Sequence, residues 1–238
     1  MIYVGTSGFS YKQWSGIFYP EGLGARDYLA FYSRRFPTTE INNTFYRTPS
    51  ARTCGVWADQ VGEDFRFALK LTRRITHQKK LRDVDQEMNW FFTGAGALGS
   101  NLACILVQLP PWLRKDLTLL EDFLQNYASQ SRLAFEFRHE SWMGQETCEL
   151  LHRFKAALVI VETDSRPPVR EVTAPFVYVR LRKSSYLEPE LEEWARWLTN
   201  FSKESFVYLK HEKSAPLLAR QLLEMVRAEP RYWDHSPP

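Results

Sequence analysis

The run "ACILVQL", Ala103 to Leu109, decides how the chain is read. It is apolar except at Gln108, and Pro110-Pro111 close it. A continuous apolar run of this length suits a strand covered on both faces, as in a parallel sheet between helices. Runs of the same kind recur on either side: "IYVG" (2–5), "TTEI" (38–41), "RFALK" (66–70), "LAFEF" (133–137), "ALVIVE" (157–162), "FVYVRL" (176–181) and "FVYLK" (206–210). Between them the spacing turns helical. Cys54, Trp57, Ala58 and Val61 repeat at i, i+3, i+4, i+7, as do Met88, Phe91, Phe92 and Ala95. Leu117, Leu120, Leu124 and Tyr127 make a third stripe; Leu191, Trp194, Leu198 and Phe201 make a fourth. Ser50 and Ser214 stand where N-caps belong, and Pro216 falls in a first turn, where its missing N–H is harmless.

Eight strands with intervening helices predict an α/β fold, a TIM-type (β/α)8 barrel. One link breaks the rhythm. Residues 163–175, "TDSRPPVREVTAP", carry three prolines, so no full helix is expected between strands six and seven. A length of 238 residues suits a single barrel domain over 1–238, with the polar stretch 229–238 read as a flexible tail. Hydrophobic residues make up 44% of the chain, enough for a large core, and the net charge of +3 does not by itself argue for nucleic acid. The first residues lack a basic segment followed by an apolar stretch, and no run is long enough to span a membrane. Cys54, Cys104 and Cys148 are far apart with no CxxC spacing, which suits reduced, packed thiols. A cytoplasmic protein is expected. Nothing in the sequence sets the oligomeric state.

The active site of such a barrel lies at the C-terminal strand ends. Strand one runs into Thr6 and Ser7, and strand two carries Glu40 and leads to Asn42 and Asn43. Strand three ends at Lys70, with His77 in its loop, and strand four at Gln108. Strand five carries Glu136 and leads to Arg138 and Trp142; strand six ends at Glu162 and Asp164. Strands seven and eight end at Arg180 and Arg182, and at Lys210 and His211. Polar groups at all eight ends exceed what packing needs, because buried charge is costly unless paired or solvated. The expected site therefore has Glu40, Glu136, His77 and His211 as proton carriers. Thr6, Ser7, Asn42, Asn43, Lys70, Gln108, Arg138, Trp142, Arg180 and Lys210 contact the substrate. Tyr46 and Arg47 would shape the rim. A structural ion pair between Glu40 and Lys70 on adjacent strands is the plainer alternative.

The motifs "YVGTSGFSYKQW", "FYP", "TEINNTFYRTPS", "FALKLTRRITH", "ILVQLPP", "FEFRHESW" and "VYVRLR" resemble the YecE-like family, domain of unknown function number seventy-two. The resemblance runs from about Ile2 to about Arg227. It implies a TIM-type barrel and no established reaction. Many members carry His-Gly after the Arg-Leu of strand seven, where this chain has Arg182-Lys183, so no role resting on that histidine carries over.

Basic residues at these ends, and the loops "RKSS" and "HEKSA", point to a small phosphate- or carboxylate-bearing ligand. Glu40 and Glu136 suit acid–base work if their environments split their pKa values. A divalent metal, if one is used, would draw on Glu40, Glu136, Asp164, His77 and His211, although neither HExxH nor HxH occurs. Glycosidase chemistry is disfavoured because strands four and seven end in Gln108 and Arg180, not carboxylates. "GTSGFS" is no nucleophile elbow, and no P-loop or dinucleotide fingerprint occurs. The expected protein is thus an enzyme of hydrolase, lyase or isomerase type acting on a small anion. The alternatives are a nucleic-acid-binding or nucleic-acid-processing barrel, which would use the basic loop after strand three with Tyr46, Trp112, Trp142 and Tyr186 as stacking surfaces, and a non-catalytic ligand-binding protein.

Overall fold

The computed structural model describes residues 1–201 and 203–228; the tail 229–238 expected to be flexible lies outside the described residues. The apolar runs form eight strands: β1 (Ile2–Ser7), β2 (Thr38–Ile41), β3 (Arg66–Lys70), β4 (Leu102–Gln108), β5 (Leu133–Glu136), β6 (Ala157–Glu162), β7 (Phe176–Leu181) and β8 (Glu204–Leu209). All pair in parallel, in chain order, and β8 closes on β1 from Ile2–Ser205 to Thr6–Leu209. The TIM-type barrel is therefore present.

Among the described residues seven helices pack outside it: α1 (Tyr28–Ser33), α2 (Ala51–Ala58), α3 (Asp85–Gly96), α4 (Leu117–Tyr127), α5 (Gln145–Arg153), α6 (Glu188–Thr199) and α7 (Ala215–Ala228). Local chemistry sets their starts. The Ser50 hydroxyl accepts from the Thr53 amide at 3.1 Å to begin α2, and the Asp116 carboxylate accepts from Leu119 at 3.0 Å to begin α4. Glu190 reaches back to the Leu187 amide at 2.7 Å at the head of α6. Ser214 turns its hydroxyl to His211 Nδ1 at 2.7 Å. Residues 163–175 form no helix, as the prolines require.

Two apolar layers result. Strand side chains facing outward join the helices in one large core. Those facing inward fill the barrel: Tyr3 stacks on Phe206 at 5.2 Å, and above them stand Ala68, Cys104, Leu106, Ala134, Tyr178 and Tyr208. The barrel is thus plugged by aromatic rings at its lower end, and its polar groups collect above Tyr178 and Tyr208.

Candidate functional site

Strand alternation decides which polar residues enter the barrel. On β1, Ser7 points in and its hydroxyl donates to Glu40 Oε1 at 2.8 Å. Its neighbour Thr6 points out, bonded to the Tyr32 hydroxyl on α1 and to the Gly8 carbonyl. Thr6 is therefore a packing residue and not a ligand contact. The same parity corrects β6. The Glu162 carboxylate accepts from Trp194 Nε1 at 2.9 Å, outside the barrel, while Val161 faces the interior. Seven strands, not eight, deliver polar groups to the mouth.

Glu40 and Glu136 come together, joined by the buried Arg180 guanidinium. Arg180 Nη2 donates to Glu40 Oε1 at 2.7 Å, and its Nη1 donates to Glu136 Oε2. Tyr178 and Asn42 complete the Glu40 shell, at 2.7 Å and 2.8 Å. Gln108 Nε2 donates to Glu136 Oε1 at 2.7 Å, and Arg138 Nε reaches the same oxygen at 3.2 Å. Lys70 Nζ donates to Gln108 Oε1 at 2.7 Å. Lys70 therefore does not form the adjacent-strand ion pair with Glu40; Arg180, from across the barrel, takes that place.

This wiring overturns the expected acid–base pair. Burial pushes both carboxyls up, but Arg180 and the neighbouring guanidinium of Arg182 outweigh it and hold both well below the ordinary carboxylate range. The two pKa values move together and do not split, so neither carboxyl carries a proton to give at neutral pH.

Around the pair the charge is lopsided. Among the described residues, Arg138, Arg180 and Arg182 pair with these two carboxylates, and Lys70 and Lys210 stand beside them with no ion pair of their own. Burial and the Arg180 charge lower Lys70 to about 8 and Arg182 to about 10. Burial, Arg182 and Arg180 lower Lys210 as well. Among the described residues, the Nε atoms of Arg180 and Arg182 are buried without a hydrogen-bond partner. Beside this cluster a cavity of about 260 Å³ opens between Ser7, Tyr11, Trp14, Lys210 and His211. A larger groove of about 710 Å³ lies at the opposite end of the barrel, but its Arg132 and Arg153 are paired with Glu204 and Glu121. That groove keeps Lys155 as a further cation, whereas five cations gather at the C-terminal mouth, where the charge is concentrated.

The remaining expected residues divide. His77 sits on the rim against Phe45, ring centroids 4.9 Å apart, with Trp112 on its other side at 5.9 Å. Burial, then the charges of Lys70, Arg138 and Arg73, lower it to about 4, so it is neutral at pH 7. His211 Nδ1 accepts from the Ser214 amide at 3.1 Å and shapes the loop after β8 while lining the cavity. Trp142 is buried, stacked on Phe137 at 4.5 Å, with its Nε1 donating to the Leu113 carbonyl; it is core, not a substrate contact. Asn43 is exposed in the turn Asn43–Phe45. Phe45 covers Lys70, whereas Tyr46 is 81% exposed.

The five residues suggested for a metal do not converge. Glu40 and Glu136 are occupied by arginine, Asp164 holds Ser184, and His211 holds Ser214. Among the described residues no three His, Cys, Asp or Glu side chains are placed to hold a metal ion. Strand-end reading passed over Tyr178, and it placed Arg182 at the end of strand seven without giving it a contact in the site. Each lies two residues from Arg180, in the same inward phase, and that period-2 spacing was the available signal.

Fold and site together define a (β/α)8 barrel whose C-terminal mouth is rich in cations. The chain matches the family described as "Protein of unknown function DUF72" over residues 3–238, and it belongs to that family. It is 31% identical to UPF0759 protein YecE of Escherichia coli (strain K12) over 173 residues, 70% of this chain and 60% of that protein. It is 27% identical to UPF0759 protein YunF of Bacillus subtilis (strain 168) over 186 residues, 74% of this chain and 65% of that protein. The matched stretch thus spans less than two thirds of either relative. A crystal structure of a DUF72 family protein from Thermotoga maritima MSB8 superposes with a TM-score of 0.78 at 27% identity, covering 95% of this chain and 99% of that one. One from Enterococcus faecalis V583 gives 0.76 at 21% identity, covering 96% and 98%, a likeness of fold. Among the described residues no helix is long and apolar enough to cross a membrane.

Proposed function

We propose that the barrel is an enzyme that binds a small phosphate- or carboxylate-bearing substrate at its C-terminal mouth and acts on it by acid–base chemistry. The observation that carries this reading is the uneven charge: five cations surround two carboxylates, and both carboxylates are already bound by arginine. Burial first, and then the neighbouring cations, lower the pKa values of Lys70, Arg182 and Lys210, and an incoming anion relieves the part that is repulsion. The proton carriers suited to the task are not the expected glutamates. Lys70 is an ammonium near neutrality that titrates at about 8, and His77 is a neutral imidazole on the same rim. Metal-assisted chemistry loses its motive here, because the suggested ligands are dispersed among other partners.

Calorimetric titration with inorganic phosphate and pyrophosphate at low ionic strength tests the reading. Saturable binding is expected. The double variant Arg138→Gln/Lys210→Gln, which alters the more exposed cations, should weaken it by at least roughly tenfold, since a hydrogen bond to a charged group contributes about 1.5–3 kcal/mol. Equal heats for the variant and the parent would overturn the assignment of the site.

A further inference from the structure

Lys70 ends β3 on the inner wall of the barrel, with 9% of its surface reaching solvent. A lysine enclosed like this usually meets a carboxylate, yet the partner here is a neutral amide oxygen, Gln108 Oε1 at 2.7 Å. That orientation is fixed from behind. The Gln108 amide nitrogen is committed to Glu136 at 2.7 Å, which turns the oxygen toward Lys70. The two carboxylates whose charge reaches Lys70, Glu40 and Glu136, are themselves held by arginines. The Phe45 face, 4.0 Å from Nζ, favours the ammonium. Burial and the Arg180 charge work the other way and prevail, so Lys70 falls to about 8 from an ordinary 10.5. At pH 8 this supplies on the order of a hundredfold more neutral amine than an unperturbed lysine. A desolvated lysine beside another cation is a recognised way to make an amine nucleophile.

We propose that Lys70 is a covalent centre, whose Nζ forms an imine with a small carbonyl compound bearing a carboxylate or phosphate. This rests on the mouth being an anion site: Arg138, Arg182 and Lys210 would hold the anionic end while the carbonyl carbon meets Nζ. In the step, the neutral amine adds to the carbonyl carbon, and a proton moves from nitrogen to the carbonyl oxygen to give the carbinolamine. That hydroxyl takes one further proton from solvent and leaves as water, breaking the C–O bond. The product is a protonated imine on Lys70. The iminium then withdraws electrons from the adjacent carbon, which suits lyase or isomerase chemistry on an oxoacid or a carbonyl-bearing phosphate.

The test is reductive trapping on the full chain, with pyruvate as the anionic probe, acetone as the neutral one, and borohydride as the hydride donor. Peptide mapping by mass spectrometry reads the position of the adduct. Pyruvate should label Lys70 at least about tenfold faster than any other lysine, given its larger neutral fraction. Inorganic phosphate should protect it, and Lys70→Arg should abolish the adduct while far-UV circular dichroism confirms the fold. Mapping on the unsubstituted chain keeps the test decisive if that variant does not fold. Adducts scattered over exposed lysines with Lys70 unmodified would overturn the covalent centre, even if phosphate binds by calorimetry. Equal labelling of Lys70 by acetone and pyruvate, with no phosphate protection, would support the nucleophile and instead remove the anion site.

Discussion

Glu40 shows how much one buried side chain can hold. Its carboxylate accepts from Ser7, Asn42, Tyr178 and Arg180, residues of two strands and one loop, with no exposure to solvent. Removing its charge leaves Arg180 buried with only Glu136 to balance it. Breaking such a pair from one side typically costs about 3–5 kcal/mol. Glu40→Gln is therefore expected to lower the urea midpoint by a loss in that range with an unchanged slope, and a loss under 1 kcal/mol would contradict the network. The pH dependence follows from the sign of the shift. The carboxyl is held below its ordinary value of 4.5, so its contribution is complete above that value and is lost as pH falls from there through the folded pKa. Glu136 behaves alike. The stability of Glu40→Gln should consequently fall less steeply below pH 4.5 than that of the parent.

At the scale of elements, α3 carries two glycines with opposite expectations. A Cβ on Gly94 would lie 2.0 Å from the Pro49 carbonyl oxygen, so this glycine lets the loop before α2 lie directly on α3. A Cβ on Gly96 would meet nothing within 4 Å. Gly94→Ala should destabilise by about 1–3 kcal/mol, the range for overpacking, and Gly96→Ala should stabilise by about 0.4–1 kcal/mol. Equal effects from the two, read by chemical denaturation, would refute the contact. Elements of this kind were largely legible in the sequence. The eight strands emerged within two residues or so of their ends, because strands covered on both faces leave unbroken apolar runs. Helices α1 and α5 left no stripe: α1 has six residues, and the buried positions of α5, Thr147, Leu150 and Leu151, include a polar one. Strand ends also gave most of the mouth. They could not give parity at the last residue, which separates Ser7 from Thr6 and Val161 from Glu162, since a one-residue step exchanges the faces. Nor could they show which cation each carboxylate would meet, because Arg180 reaches Glu40 across 140 positions of chain.

For the whole molecule, the net charge of +3 is modest, and its placement matters more. The five mouth cations lie around a partly buried cluster, where salt screens less than it does at the surface. Any anion that binds the folded mouth and not the unfolded chain must stabilise the fold by mass action, about 2.7 kcal/mol at a hundred times its dissociation constant. In a chain of this size each kcal/mol raises Tm by roughly 2–4 °C, so saturating phosphate should raise it by about 5–10 °C. General screening by salt is separated by comparing phosphate with chloride at matched ionic strength. A specific site responds to the first far more than to the second, whereas screening of surface charge treats them alike. The double variant Arg138→Gln/Lys210→Gln supplies the second axis: its Tm in chloride should stay near that of the parent, because both side chains are partly or largely solvated, while its response to phosphate shrinks. Scanning calorimetry of the four combinations decides the matter, and a phosphate response that survives intact in the variant would move the anion away from the barrel mouth.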